Sequence, residues 1–207
     1  MSSHADDTVS KNEDQIGTPK GDAFLFFRSF FRHPMMLGSI IPSSRFLIKQ
    51  ILEPIDWDKA RVIVEYGPGV GGITAEILRR MRPDAKLIAI EMNPDFVNFL
   101  KKSLVDPRIE VVEGSAADVN EIMKKLGLTK ADYIISGIPL GSMPPAIRGP
   151  ILQNTREALA AGGTFLVFQF TTRVLPDLNR VFRYVQRKFE PLNFLPAHLF
   201  FCSPEPA

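Results

Sequence analysis

Apolar positions from residue 61 onward switch repeatedly between short continuous runs and helical spacing. Val62–Glu65, Lys86–Ile90, Arg108–Val112, Tyr133–Ser136 and Thr164–Phe170 are compact runs of strand length. Between them, Gly71–Arg82, Asp118–Leu126 and Pro145–Ala160 repeat apolar residues every three or four positions, which predicts helices with one buried face. Asn93, followed by Pro94 and Asp95, marks the start of another helix that runs to about Leu104. A further helix is predicted near Val174–Lys188. Two late runs, Leu192–Leu195 and His198–Cys202, lie too close together for a helical crossover and predict an antiparallel hairpin. The alternation predicts an α/β fold with a doubly wound, Rossmann-like sheet of seven strands. Ligands bind such sheets beyond the carboxyl ends of the strands, so the loops after Glu65, Ile90, Val112 and Ser136 should converge on one site.

The first 60 residues follow a different pattern. Residues 1–22 are polar and predict a disordered tail. Residues 23–60 read as amphipathic or lid helices. On a helix, Phe24, Phe27 and Phe31 share a face that Phe26 and Phe30 broaden, Arg28 and Arg32 lie on the polar side, and Pro34 ends the segment. Such a helix fits a membrane interface or a lid over the core. No apolar run reaches the ~20 residues needed to span a bilayer, and the N-terminus does not read as a signal peptide.

Composition narrows the picture little. With 207 residues, 45% hydrophobic and 23% charged, the chain reads as one soluble domain with a short extension. The net charge of +2 does not by itself point to nucleic acid. The single cysteine, Cys202, excludes an internal disulfide and a cysteine-rich zinc site and suits a reducing cytoplasm. No histidine or carboxylate cluster suggests a metal.

The chemistry concentrates where the first strand breaks into Glu65-Tyr66-Gly67-Pro68-Gly69-Val70-Gly71-Gly72. Glycines there let backbone amides approach a ligand at a helix N-terminus. Gly67, Gly69 and Gly72 also satisfy the dinucleotide pattern, and Glu91 closes the second strand about twenty residues on, where a carboxylate can accept both ribose hydroxyls. A nicotinamide dinucleotide and S-adenosylmethionine (SAM) would both fit. Glu65 separates them, because a carboxylate beside the turn repels a pyrophosphate and favours an ammonium and a sulfonium.

At these residues the chain resembles the class I SAM-dependent methyltransferases, and the likeness covers most of residues 61–202. It implies that SAM is the cofactor, held by Glu65, Tyr66, Gly67, Gly69 and Gly71. Glu91 and its neighbour Met92 would lie at the ribose, and Ser115 and Ala116 would flank the adenine. Ser115 stands where that family often has an aspartate. The fourth strand ends in Ser136-Gly137-Ile138-Pro139-Leu140, similar to the asparagine-leucine-proline-tyrosine motif of the ribosomal RNA adenine dimethyltransferases. Gly137 replaces its amide and Leu140 its aromatic, so both base-handling groups are missing, which counts against nucleic acid.

The same stretch, together with Gly38–Arg45 and Asn193–Ala197, closely resembles the bacterial phospholipid N-methyltransferases. This implies methylation of phosphatidylethanolamine toward phosphatidylcholine by a cytoplasmic enzyme held peripherally at the inner face of the membrane, where Lys20, Arg28 and Arg32 would meet anionic lipids. Residues 61–207 would form the catalytic domain. Ser136 and Gly137 would lie at the reacting amine, Ser136 also against the cofactor, and Ser43 and Ser44 would be cofactor contacts in a segment closing over it. Tyr66 is a candidate cation–π partner for the growing methylammonium, and Arg45, Arg148, Arg173 and Arg180 are candidate donors to a lipid phosphate. An RNA adenine methyltransferase and a non-catalytic SAM- or membrane-binding module are the alternatives.

Overall fold

The computed structural model describes residues 44–193 and 195–205. The expected tail, the Phe-rich segment and Ser43 lie outside them. Helix α1 (Arg45–Leu52) precedes β1 (Val62–Tyr66), α2 (Gly72–Arg80), β2 (Lys86–Glu91), α3 (Pro94–Ser103) and β3 (Ile109–Glu113). After a 3-10 turn come α4 (Val119–Lys125), β4 (Ala131–Ser136), α5 (Pro145–Ala158), β5 (Leu159–Gln169), α6 (Leu175–Val181), β6 (Tyr184–Glu190) and β7 (Ala197–Ser203). The strands form one seven-stranded sheet in the order β3-β2-β1-β4-β5-β7-β6, with parallel pairing from β3 through β5 and antiparallel pairing at β7 and β6.

Alternate residues of the central strands feed two apolar layers, which is why these strands read as continuous runs rather than alternating ones. Val64, Tyr66, Ile134 and Phe165 face α4, α5 and α6 through Ile122, Ile151 and Leu178. Ile63, Ile135, Leu166 and Phe168 face α1 and α2 through Leu47, Ile51, Ile73 and Ile77. Ala89 and Val111 receive Val97 and Leu100 of α3. Cys202 of β7 is fully buried, and burial pushes its thiol well above the ordinary range.

The closing hairpin differs from the expected one. Its strands are β6 and β7, paired from Tyr184↔Ser203 to Glu190↔Ala197. Leu192–Leu195 lies in the connection between them, punctuated by Pro191, Asn193 and Pro196. Helical spacing stops at α6, and Tyr184, Val185 and Phe189 suit a strand as soon as β7 offers a partner.

Because β5 runs parallel to β1 and Gln169 pairs with His198 of β7, the β6–β7 connection emerges at the carboxyl end of the parallel strands. Helix α1 begins at that same end. Ser44 caps it by accepting from Leu47 N–H at 3.2 Å, while its own N–H donates to the Asn193 side-chain oxygen at 3.0 Å.

Candidate functional site

The turn after β1 is shaped by three left-handed glycines, Gly67, Gly69 and Gly71. Gly67 is the constrained one. Its N–H donates to the Ile90 carbonyl at 2.9 Å, and a Cβ there would sit 2.6 Å from Ile138 Cγ2. Only glycine combines that backbone with that approach, so the β1 turn lies directly against the β4 loop.

Glu91 ends β2 and is nearly buried. One carboxylate oxygen accepts Gly69 N–H at 3.1 Å and the other accepts Asn93 N–H at 2.9 Å. Burial pushes its pKa up, opposed by the N–H groups of Asn93, Gly69 and Met92, which favour the charged form. Each oxygen keeps a lone pair for a ligand donor, the disposition a vicinal diol requires. Gly114 N–H donates to the Glu91 carbonyl at 2.9 Å, which draws the loop after β3 alongside. Ser115 spends its side-chain oxygen on Ala117 N–H at 3.2 Å, capping the 3-10 turn that presents Ala116.

These loops enclose a cleft of about 520 Å³, counting its open mouth. Gly67, Gly69, Glu91, Met92, Ser115, Ala116 and Gly137 line it together. The glycine cradle and the anchored carboxylate suit a nucleoside ligand. Ile90, Phe96 and Ile151 also line the cleft and were not singled out from sequence. Phe96 carries a faint signal, an aromatic in the first turn of the helix that Asn93 caps. Ile151 carries none, being one more aliphatic on the buried face of α5.

Other expected residues stand back from the lining. Glu65 is buried, and its carboxylate accepts the Thr74 hydroxyl at 2.7 Å. Burial, reinforced by the charge of Glu91 and only partly opposed by Thr74, pushes its pKa up to about 7. Gly71 meets α3, where a Cβ would lie 2.8 Å from Leu100 Cδ2. Ser44 is the α1 cap described above. The Tyr66 ring is fully buried against Phe165, with its hydroxyl 3.1 Å from Thr155 Oγ1. That corrects its reading as a cation–π partner, since strand alternation aims it into the α5 layer. Ser136 is also fully buried, and its hydroxyl has no hydrogen-bond partner.

The loop after β4 is held from two sides. Gln169 donates to the Ile138 carbonyl at 2.9 Å and accepts Gly141 N–H at 2.9 Å. Arg148 donates to the Met143 carbonyl at 2.9 Å and pairs with Asp177. Arg148 is thus engaged within the fold rather than free to meet a phosphate. Arg180 also pairs with Asp177 at 3.1 Å, but its side chain stays exposed. Gly137 N–H donates to the Tyr66 carbonyl at 2.9 Å, and a Cβ on Gly137 would crowd the Gly67 carbonyl at 3.0 Å and approach Phe168 Cε1 at 3.7 Å. Leu140 is wholly buried. Among the described residues no group of His, Cys, Asp and Glu could hold a metal ion, and no helix is long and apolar enough to cross a membrane.

Residues 33–139 match the family model described as ribosomal RNA adenine dimethylase. An ornithine lipid N-methyltransferase of Singulisphaera acidiphila is 36% identical over 183 residues, covering 87% of this chain and 95% of that protein. Ribosomal RNA small subunit methyltransferase A of Mycoplasma capricolum subsp. capricolum is 36% identical over 97 residues, covering 45% of this chain and 34% of that protein. Two solved structures share the fold. A precorrin-6y C5,15-methyltransferase from Geobacter metallireducens has a TM-score of 0.62, 16% identity, and coverage of 77% of this chain and 88% of that one. Human methyltransferase-like protein 13, in complex with S-adenosylhomocysteine, has a TM-score of 0.57, 18% identity, and coverage of 84% and 82%.

Proposed function

Starting from the chain's membership of the class I SAM-dependent methyltransferases, in the ribosomal RNA adenine dimethylase family, we propose that it methylates the amine of a membrane lipid rather than an RNA base. One observation carries this reading: the Gly137–Leu140 loop has no polar side chain or accessible aromatic with which to orient and stack a base. Gly137 is packed too closely to accept an amide without displacement, and Leu140 is committed to the core. The near full-length likeness to a lipid N-methyltransferase supports the same conclusion, whereas the Mycoplasma rRNA methyltransferase is matched over only a third of its length.

Bound SAM supplies a methyl group already activated by a sulfonium, so the protein's task is to position the acceptor and limit water. Glu91, its orientation fixed by Gly69 and Asn93, would hold the ribose diol. The glycine turn would approach the methionyl part, and Glu65 behind it would favour positive charge when ionised. Gly137, which lines the cleft, would offer its carbonyl to the acceptor amine. The acceptor chemistry is a primary amine in a zwitterionic lipid. Phosphatidylethanolamine carries it close to a phosphate, and ornithine lipid carries it at the far end of the ornithine side chain, in a headgroup whose anion is a carboxylate. The enzyme works at the inner face of the cell membrane, aided by the Phe-rich segment, whose spacing would put Phe24, Phe27 and Phe31 on one side if it were helical.

The test incubates the protein with methyl-labelled SAM and three acceptors in parallel: vesicles containing phosphatidylethanolamine, vesicles containing ornithine lipid, and ribosomal RNA. Label in either lipid is expected, and the labelled arm identifies the headgroup. Label confined to RNA, or absent from all three, refutes the reading.

A further inference from the structure

Ten large apolar side chains are exposed among the described residues, and six of them, Phe46, Val70, Phe170, Phe189, Leu192 and Leu195, lie at the cleft end of the sheet. Their positions follow from the topology. Val70 is in the glycine turn, Phe170 directly follows β5, Phe189 is near the end of β6, Leu192 and Leu195 lie in the β6–β7 connection, and Phe46 is in the first turn of α1. Phe46, Phe189 and Leu192 line a single open groove together with Lys49 and Lys188. Leu192 is 64% exposed and Phe189 52%, so neither serves the core.

The groove's lining carries two lysines, Lys49 and Lys188, and two glutamates, Glu53 and Glu190, and Arg45 beside it adds a further cation. Arg45 lies over the Phe46 ring at 5.6 Å, and Lys49 and Lys188 flank the groove. Glu53 is the exposed acid, paired with Lys188 at 2.9 Å. Glu190 is buried, taken up by the Gln50 side chain and by Leu192 N–H. Aromatic and aliphatic side chains that project beneath a fringe of flexible cations suit the boundary between headgroups and acyl chains, where the apolar part enters and the charged heads snorkel.

We propose that this rim, from Phe170 across the β6–β7 connection to Phe46, is the face by which the folded domain sits on an anionic lipid surface. The inference rests on the lipid-amine reading above and adds the orientation in which the domain meets its substrate. Phe189 on β6 lies three strands from Gly137 at the end of β4, about 14 Å at ~4.8 Å per strand. A domain seated on this rim holds its cleft mouth at headgroup level, so a lipid presents its amine without leaving the surface. With Lys188 paired to Glu53 and Glu190 buried, Arg45 and Lys49 remain as the excess exposed charge, which favours an anionic lipid surface over a second copy of this chain carrying the same cations.

The test uses the full chain and vesicles of phosphatidylethanolamine and phosphatidylglycerol. Phe189→Ser with Leu192→Ser should lower the vesicle partition coefficient about tenfold or more, since two exposed apolar side chains lose their burial. Lys49→Glu should weaken binding to these vesicles but not to neutral ones. Methyl transfer to the same amine lipid in detergent micelles should be unchanged in all variants, which also reports that they fold. Variants that sediment with vesicles like the parent overturn the docking face. A parent that is dimeric, with variants that are monomeric, also overturns it, in favour of a second copy. A parent that binds vesicles but transfers no methyl group to lipid in micelles refutes the lipid-amine reading instead, so the two failures are distinct.

Discussion

Replacing Glu65 by Gln separates the stability of the empty protein from its affinity for the cofactor. Burial raises the Glu65 carboxyl from 4.5 to about 7. Between those values the folded state holds a proton that the unfolded chain has released, so stability falls as pH rises through this window. Glu65 therefore adds no penalty below pH 4.5 and its full penalty above pH 7. At 1.36 kcal/mol per unit, the shift corresponds to about 3 kcal/mol. Glutamine keeps an acceptor for the Thr74 hydroxyl and never ionises. The variant should match the parent near pH 4.5 and exceed it by about 3 kcal/mol at pH 8, roughly 6–12 °C in Tm for a domain of this size. Thermal unfolding of cofactor-free protein in steps from pH 4.5 to 8 measures the gap. A gap that does not widen with pH, or a variant that is less stable at pH 8, refutes the argument. Cofactor affinity should move the other way. At pH 8 the anionic Glu65 attracts the cationic methionyl part, so the Gln variant should bind SAM more weakly while melting at a higher temperature.

Three further outcomes follow from the cleft. Glu91→Ala removes the proposed diol acceptor and the anchor for Gly69 and Asn93, so calorimetry should show SAM affinity reduced at least tenfold; unchanged affinity would end its assignment to the ribose. Gly67→Ala must relieve a 2.6 Å approach to Ile138 on a left-handed backbone, and should cost more than ~1 kcal/mol in denaturant unfolding and weaken cofactor binding. Gln169→Leu frees the Ile138 carbonyl and Gly141 N–H and should lower kcat more than it raises the cofactor dissociation constant. Equal effects on both would mean that Gln169 supports the fold generally rather than the β4 loop.

The alternating pattern made the parallel core of the fold legible because each central strand is buried on both faces and each crossover helix on one. It failed at the far edge. Tyr184–Glu190 is an exposed edge strand with little apolar periodicity, so sequence spacing alone extends α6 through it and sets the hairpin one segment late. The cleft was legible where chemistry depends on backbone or on a strand-end carboxylate, as at Gly67, Gly69, Glu91 and Gly137. It was less legible for side-chain direction. Glu65 and Tyr66 are adjacent to the glycine turn, yet the pleat sends Tyr66 to the α5 layer and Thr74 takes up Glu65. Arg148 looked like a free cation until α6 brought Asp177 against it. Phe96 and Ile151 reach the cleft only through tertiary packing, which no local spacing encodes.

Cys202 turns the fold into its own gauge. It is the one cysteine of the chain and is sealed in β7 between β5 and β6, with its thiol held protonated by burial. A thiol reagent can reach it only when that part of the sheet opens, so the rate of alkylation counts openings without any added label. Ligands that tighten the glycine turn and the β4 loop should slow that clock only if their effect crosses from β4 through β5. The same reading would report whether docking at the rim, on the strands that enclose the thiol, stiffens the sheet on a membrane.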